Sequence, residues 1–383
     1  MAATHPRWMN ESHIVFEDAA TKFFEAELVP NIDKWREAGV VDKAFWRKAG
    51  EAGLMGGSIP EEFGGAGGDL GHEVVVLRTH GRTGDSGWGY GVQNIVIHYV
   101  NSYGTDEQKK RWLPKLVMGE WVGAIAMTEP GTGSDLQSVK TYAVKDGDDY
   151  VINGSKTFIT NGTSADLVIV VAKTDREQGA RGISLIGVET ENCPGYRVGR
   201  RLDKLGLKSQ DTSELFFEDV RTPQSYVMGG GEGQGFFQLM NQLPWERLQI
   251  GLGSLSASEV AFRETLAYVK ERKAFGKRLL DFQNTQFKMA EVKTKLEVMR
   301  SFINDCIEKC IAGELDAPTA SMAKWWGSQT QGEIIDECLQ LFGGYGFMNE
   351  YPIARLYADA RVQKIYGGTN EIQKMLIARS LDG

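Results

Sequence analysis

Apolar positions recur at helical spacing over Glu11–Trp35, Val41–Leu54, His72–Arg82 and Glu107–Met118, which predicts a helical block at the start of the chain. Pro60-Glu61-Glu62-Phe63-Gly64-Gly65-Ala66-Gly67-Gly68 breaks that block with a loop. The period then shortens. Tyr150–Thr160, Leu167–Ala172, Ile183–Val188 and Leu215–Phe217 read as strands, separated by turn signals such as Asn153-Gly154 and Asn161-Gly162. Helical spacing returns over 243–272, 284–312, 317–341 and 352–379, with breaks near Gly276, Gly313 and Gly343-Gly344. Four long helices with short connections predict an antiparallel bundle. Gly229–Gly235, ahead of it, reads as a flexible linker. The order implies an α+β chain with a helical domain over 1–120, a β domain over 121–232 and a bundle over 233–383. It is not the alternating order of a doubly wound parallel sheet, and neither G-x-G-x-x-G nor a Walker A motif occurs.

Composition narrows the chemistry. The 383 residues carry 43 Lys and Arg against 51 Asp and Glu, an acidic balance that argues against nucleic acid as a partner. No run of about 18 apolar residues predicts a transmembrane helix. Met1–Trp8 shows neither a secretory apolar core nor a transit-peptide pattern, so a cytoplasmic location is expected. Cys193, Cys306, Cys310 and Cys338 have no metal-site spacing and read as reduced thiols, so no metal is expected. All five histidines lie within the first 98 residues. A base working in the later two-thirds of the chain must therefore be a carboxylate, a lysine or a tyrosine.

Two segments carry candidate binding chemistry. Met127-Thr128-Glu129-Pro130-Gly131-Thr132-Gly133-Ser134-Asp135 gathers backbone N–H groups and hydroxyls in a turn, a nest for an anion or a heteroaromatic edge, or else a capped structural turn. In Lys156-Thr157-Phe158-Ile159-Thr160, Phe158 and Thr160 stand two apart on a strand, an aromatic face beside a hydroxyl.

The first of these segments resembles a signature of the acyl-CoA dehydrogenase family. Arg272-Lys273-Ala274-Phe275-Gly276-Lys277, Gln340-Leu341-Phe342-Gly343-Gly344-Tyr345-Gly346 and Ile365-Tyr366-Gly367-Gly368-Thr369-Asn370-Glu371-Ile372 resemble three more, in the family's order. The resemblance covers residues 14 to 379. It implies the family's fold: a helical N-terminal domain, a β-barrel-like middle domain and a C-terminal four-helix bundle. It also implies FAD as cofactor, an acyl-CoA substrate, an electron-transfer flavoprotein as electron acceptor, and a homotetramer built as a dimer of dimers. By the same resemblance Met127 and Thr128 would meet the flavin pyrimidine, Phe158 its ring and Thr160 its N5 edge, with Ile125, Gly133 and Ile159 in the same segments. The family usually has Trp where this chain has Phe158. Ser134 would reach the pyrophosphate or the CoA. Arg272, Phe275, Gln283 and Gln340, Leu341, Phe342, Gly343 and Gly344 would hold the ADP half of a neighbouring subunit's FAD, and Thr369, Asn370 and Glu371 complete the cofactor set. An Arg fork suits a pyrophosphate, although alone Arg272 would read as a solvated cation.

One departure matters. Many members carry the catalytic carboxylate where this chain has Gly367, and glycine cannot take a proton. The family's other position is the first turn of the bundle's opening helix, here Leu243-Pro244-Trp245-Glu246-Arg247-Leu248. The resemblance therefore makes Glu246 the base and Gly367 N–H a donor to the thioester carbonyl, and is strongest to the long-chain branch. Trp245, Arg247, Phe237, Gly368 and, more remotely, Arg181 are the remaining substrate candidates. An isovaleryl-type dehydrogenase, an acyl-CoA oxidase and a non-catalytic member are the competing readings.

Overall fold

The computed structural model describes residues 5–381; Met1–Thr4, within the stretch read above for targeting, and Asp382–Gly383 lie outside the described residues. The N-terminal helices are α1 (Glu11–Phe23), α2 (Ile32–Ala38), α3 (Lys43–Glu51), α4 (Leu70–Arg82), α5 (Tyr90–Tyr103) and α6 (Asp106–Val117). The periodic run predicted over 11–35 is interrupted. After α1 come a π-helical turn, Phe24–Leu28, and a 3₁₀ turn holding Pro30, which has no N–H to continue the ladder. Helix α5 escaped the sequence reading because Val92, Ile95, Val96, Ile97 and Val100 give it a strand-like composition. Asn10, Asp69 and Thr105 cap α1, α4 and α6 through capping boxes.

The middle domain is a seven-stranded mixed sheet of β1 (Gly123–Ala126), β2 (Tyr142–Asp146), β3 (Asp149–Thr160), β4 (Leu167–Lys173), β5 (Ile183–Glu189), β6 (Tyr196–Arg201) and β7 (Thr212–Pro223). Strand β4 pairs in parallel with β1 and antiparallel with β5, while β3 lies between β2 and β7. A bridge from Ile186 to Val227 and the bond from Thr222 Oγ1 to Gly187 O (2.9 Å) curl the sheet on itself, the barrel-like feature expected. The uninterrupted apolar run of β4 is buried on both faces. Val168, Val170 and Ala172 pack inside with Tyr150 and Phe217, while Leu167, Ile169 and Val171 pack outward on the helical domain. Asn153-Gly154 is not the turn expected from its composition. It sits inside β3 at a bulge, and the β2–β3 turn falls at Gly147 (φ +61°) instead.

The C-terminal domain is built on α7 (Gly235–Glu271), the β8–β9 hairpin (Lys273–Ala274, Lys277–Arg278), α8 (Gln283–Ile311), α9 (Ala317–Phe342), α10 (Pro352–Ala360) and α11 (Asn370–Arg379). Helix α7 packs on both α8 and α9. The fourth predicted helix is broken: positive φ at Gly367 (+62°) and Gly368 (+82°) ends the turn after α10 and restarts the chain at α11. Helix α7 also begins at Gly235, so Glu246 lies three turns inside it rather than in its first turn. The segment read as a flexible linker is tied down, with Gly233 N–H donating to Ser184 Oγ at 2.9 Å. Among the described residues no helix is long and apolar enough to cross a membrane. The four cysteines are free, three of them buried.

Candidate active site

Where the three domains meet lies a cleft of about 330 Å³, within the usual range for a small-molecule site. Its walls are largely apolar, with Leu77, Val92, Ile95, Ile125, Ile250 and Leu356 contributed by all three domains. Into it face Met127, Thr128, Phe158, Ile159 and Thr160 from the sheet, Glu246 from α7 and Gly367 from the break before α11.

The sheet's contribution is fixed from below. Lys156, with no exposed side-chain surface, donates to Met127 O (3.1 Å), Val171 O (2.7 Å) and Glu129 Oε1 (2.9 Å). Glu129 also accepts from the N–H groups of Lys140 and Thr141, at 2.6 and 2.9 Å, so the buried pair is saturated with hydrogen bonds. Thr157 N–H donates to Thr128 O, locking the Met127–Glu129 turn onto β3. Here β3 bulges, and Phe158 adopts φ +59° with two-thirds of its surface exposed, a conformation disfavoured for an aromatic residue. Phe158 and Thr160 thus both reach the cleft, but through a bulge rather than by simple strand alternation.

Glu246 is held by its neighbours. Trp245 Nε1 and Gln249 Nε2 both donate to Asn94 Oδ1 on α5, at 2.9 and 3.2 Å, and Asn94 Nδ2 donates to the fully buried Glu73 (2.7 Å). Glu73 takes further bonds from Tyr90 OH, Ser58 N–H and Ser58 Oγ, which ties α4, α5 and α7 into one frame. Within it Glu246 is 8% exposed, and its carboxylate accepts from Tyr99 OH at 2.9 Å. Burial pushes its pKa up to about 7, against the opposing pull of the Tyr99 hydrogen bond and the Arg247 charge. Such a carboxyl titrates where a general base must work. Across the cleft, Gln373 Nε2 donates to Gly367 O (3.1 Å) and Gly368 O (3.0 Å), fixing the loop. The Gly367 N–H has no acceptor among the described residues.

A second pocket, of about 590 Å³, gathers Arg272 and the loop Gln340, Leu341, Phe342, Gly343 and Gly344, with Tyr268 and Tyr345. None of its residues lines the first cleft. Phe275, 96% exposed in the β8–β9 hairpin, and the exposed Gln283 at the start of α8 lie outside its walls.

Several expected residues stand elsewhere. Arg247 is turned about 100° from Glu246 by the helix and donates to Ser321 Oγ on α9 (3.2 Å), so it does not line the cleft. Trp245 faces Asn94, and Phe237, half exposed, lies two turns upstream of Trp245. Arg181 is exposed in a 3₁₀ turn, and Gly133 and Ser134 are exposed in the loop after β1. Thr369 caps α11, Glu371 is exposed, Gly368 lies just outside the cleft lining, and Asn370 Oδ1 accepts from Lys324 Nζ (3.0 Å) and Ser328 Oγ (3.1 Å) on α9. Sequence reasoning missed Tyr99, Asn94 and Lys156. Lys156 opens the Lys156–Thr160 segment but was given no part there, and no local pattern marks the other two.

A buried carboxyl with a raised pKa, an exposed aromatic ring and a backbone N–H without an acceptor share one largely apolar cleft. Three family models match the chain: acyl-CoA dehydrogenase N-terminal domain over residues 10–120, middle domain over 124–220 and C-terminal domain over 233–381. The chain belongs to the acyl-CoA dehydrogenase family, oxidoreductases acting on the CH–CH group of acyl-CoA thioesters. It is 50% identical over 378 residues to the mitochondrial long-chain specific acyl-CoA dehydrogenase of Sus scrofa, covering 98% of this chain and 87% of that protein. The crystal structure of an acyl-CoA dehydrogenase from Geobacillus kaustophilus superposes with a TM-score of 0.96 at 46% identity, covering 99% of this chain and 100% of that one. A glutaryl-CoA dehydrogenase from Mycobacterium smegmatis, solved in complex with FADH2, superposes with a TM-score of 0.90 at 29% identity, covering 97% and 95%.

Proposed function

We propose that this protein is an FAD-dependent dehydrogenase of long-chain fatty acyl-CoA thioesters, in which Glu246 removes the α-proton. The observation that carries the reading is Glu246 itself, a buried carboxyl in an apolar cleft that is also lined by Gly367, whose N–H has no acceptor among the described residues. The cleft suits a flavin. Phe158 offers an unburied ring face, and the Thr128 and Thr160 hydroxyls have no side-chain hydrogen bond to the described residues. When bound, FAD supplies the acceptor for the β-hydride and releases the electrons to an electron-transfer flavoprotein.

The protein's own part is proton removal and charge stabilisation. An α-proton of a thioester is too weakly acidic for an unaided carboxylate, so the carbonyl must be polarised as negative charge develops. Gly367 N–H is the donor the chain offers. Gly367 holds a positive φ of +62°, which glycine adopts without strain, and a Cβ there would fall 2.3 Å from the Cδ1 methyl of Ile250 unless that side chain shifted. The apolar walls exclude water and receive the acyl chain beside Glu246, whose raised pKa brings the base nearer to the acidity of the bound thioester. Arg272 and the Gln340–Gly344 loop hold the ADP half of FAD from a neighbouring subunit of a homotetramer, and the exposed Phe275 and Phe347 suit a face covered by a second copy.

Anaerobic titration of the holoprotein with acyl-CoAs of graded length tests this. Bleaching of the flavin by straight-chain long acyl-CoAs is expected. Preferential bleaching by isovaleryl-CoA would move the protein to the short branched-chain type. No bleaching by any thioester would make it a non-catalytic member, and hydrogen peroxide formed in air at the rate of turnover would make it an oxidase.

A further inference from the structure

Tyr99 stands on α5, opposite α7, and its side chain is completely buried. Its hydroxyl makes one hydrogen bond, 2.9 Å to Glu246 Oε1, across 147 residues of sequence. The other carboxylate oxygen has no hydrogen-bond partner among the described residues. The helix that carries Tyr99 is rigidly seated. Six residues earlier, Gln93 donates to Leu116 O (2.8 Å) and Trp121 O (3.0 Å) and accepts from Gly123 N–H (2.6 Å), locking α5 to α6 and β1. Asn94, beside it, holds Trp245 and Gln249 on either side of Glu246.

We infer that Tyr99 is the positioning residue of the catalytic carboxylate: its phenol pins Oε1 and leaves Oε2 directed to the substrate's α-carbon. The inference rests on Glu246 being the base. A glutamate side chain has three rotatable bonds, and in an apolar cleft it has few polar partners to select one rotamer. One donor on a fixed helix selects it. The same bond favours the ionised form, and so opposes the desolvation that would otherwise keep the acid protonated. Tyr99 remains a donor throughout, because burial and the adjacent carboxylate hold its own proton on far above the ordinary phenol range.

Other ionisable groups around Glu246 have other tasks. Tyr103, a turn further along α5, is set against Gln242 and Asn241. Arg247 points to α9, His98 and Glu73 lie behind Trp245, and on the remaining walls His80 pairs with Asp85 while Asp359 accepts from Ser86 and Leu207 N–H. Tyr366 donates to Gln363. None of these hydrogen-bonds the Glu246 carboxylate.

Tyr99→Phe keeps the ring in the core and deletes the donor. The pH profile of the flavin-reduction rate should then move its acid limb up by about one pH unit, a roughly tenfold loss below both limbs that narrows at alkaline pH to the deficit left by the freed rotamer. Titration of the Glu246 carboxyl by difference infrared spectroscopy of the substrate-free holoprotein, assigned with Glu246→Gln, should show the same upward shift. Tyr103→Phe should leave both titrations in place. An unshifted carboxyl titration in Tyr99→Phe, or an alkaline plateau rate equal to that of the wild type, would overturn the positioning role. If instead Glu246→Gln still reduced its flavin at the wild-type rate, the assignment of the base would be what failed.

Discussion

Replacing Glu246 by Gln should make the protein more stable, by an amount set by pH. The carboxyl titrates near 4.5 in the unfolded chain and about 7 in the folded one. Between those values the native state binds more protons than the unfolded state, so this group's contribution to stability falls as pH rises through the window. Above pH 7 the full cost of holding the charge in the cleft is present. A difference of about 2.5 pH units at about 1.4 kcal/mol each gives about 3 kcal/mol. Glutamine has the same shape, can still accept from Tyr99 and carries no charge. The unfolding free energy of the Glu246→Gln variant minus that of the wild type should therefore be within about 1 kcal/mol of zero near pH 4.5 and rise to about 3 kcal/mol at pH 8. Urea-unfolding midpoints of the two holoproteins across that range measure it. A difference that does not change with pH, or a wild type more stable than the variant at pH 8, would refute the reasoning that burial dominates at Glu246. A gain in stability on removing a functional residue is the expected mark of a group kept at a cost.

Three further outcomes follow from the geometry. Lys156→Met should cost about 3–5 kcal/mol in unfolding free energy, since it strands Glu129 and two carbonyls in the interior, and should raise the dissociation constant for FAD measured by flavin fluorescence. Arg272→Ala should weaken FAD retention and oligomer stability together; flavin loss from an oligomer undiminished in ultracentrifugation would place the second pocket's ligand within one chain. Gly367→Glu in the Glu246→Gln background should restore little flavin reduction, because its Cβ meets Ile250 at a positive φ, and adding Ile250→Ala should raise the restored rate.

Much of the architecture was legible because pattern and propensity agreed. Helices α4, α8 and α9 and strands β4 and β5 have unbroken apolar periodicity, and the glycine pair at 343–344 coincides with a chain break, whereas the break at 367–368 fell inside the run read as one helix over 352–379. Helix α5 was hidden by β-branched residues whose burial on nearly every side removes the amphipathic signal. Pro244 disguised the start of α7: it reads as a first-turn proline, yet three turns of helix precede Glu246. The family's spacing pointed to Glu246, Phe158 and Thr160, and all three line one cleft. Spacing could not orient Arg247, because adjacent helical residues face different neighbours. Tyr99 and Lys156 were not assigned a part because each matters through what it touches far along the chain, Glu246 in one case and Met127, Glu129 and Val171 in the other.

The central claim, that Glu246 is the proton acceptor, is tested most directly by anaerobic stopped-flow measurement of flavin reduction in Glu246→Gln. With FAD bound and a saturating long-chain acyl-CoA, the rate should fall by about 10²–10⁴-fold, the usual worth of a general base, while the binding of a non-reducible acyl-CoA thioether analogue is unchanged. Reduction at the wild-type rate would contradict the account and move the search to Glu371, the exposed carboxylate at the start of α11.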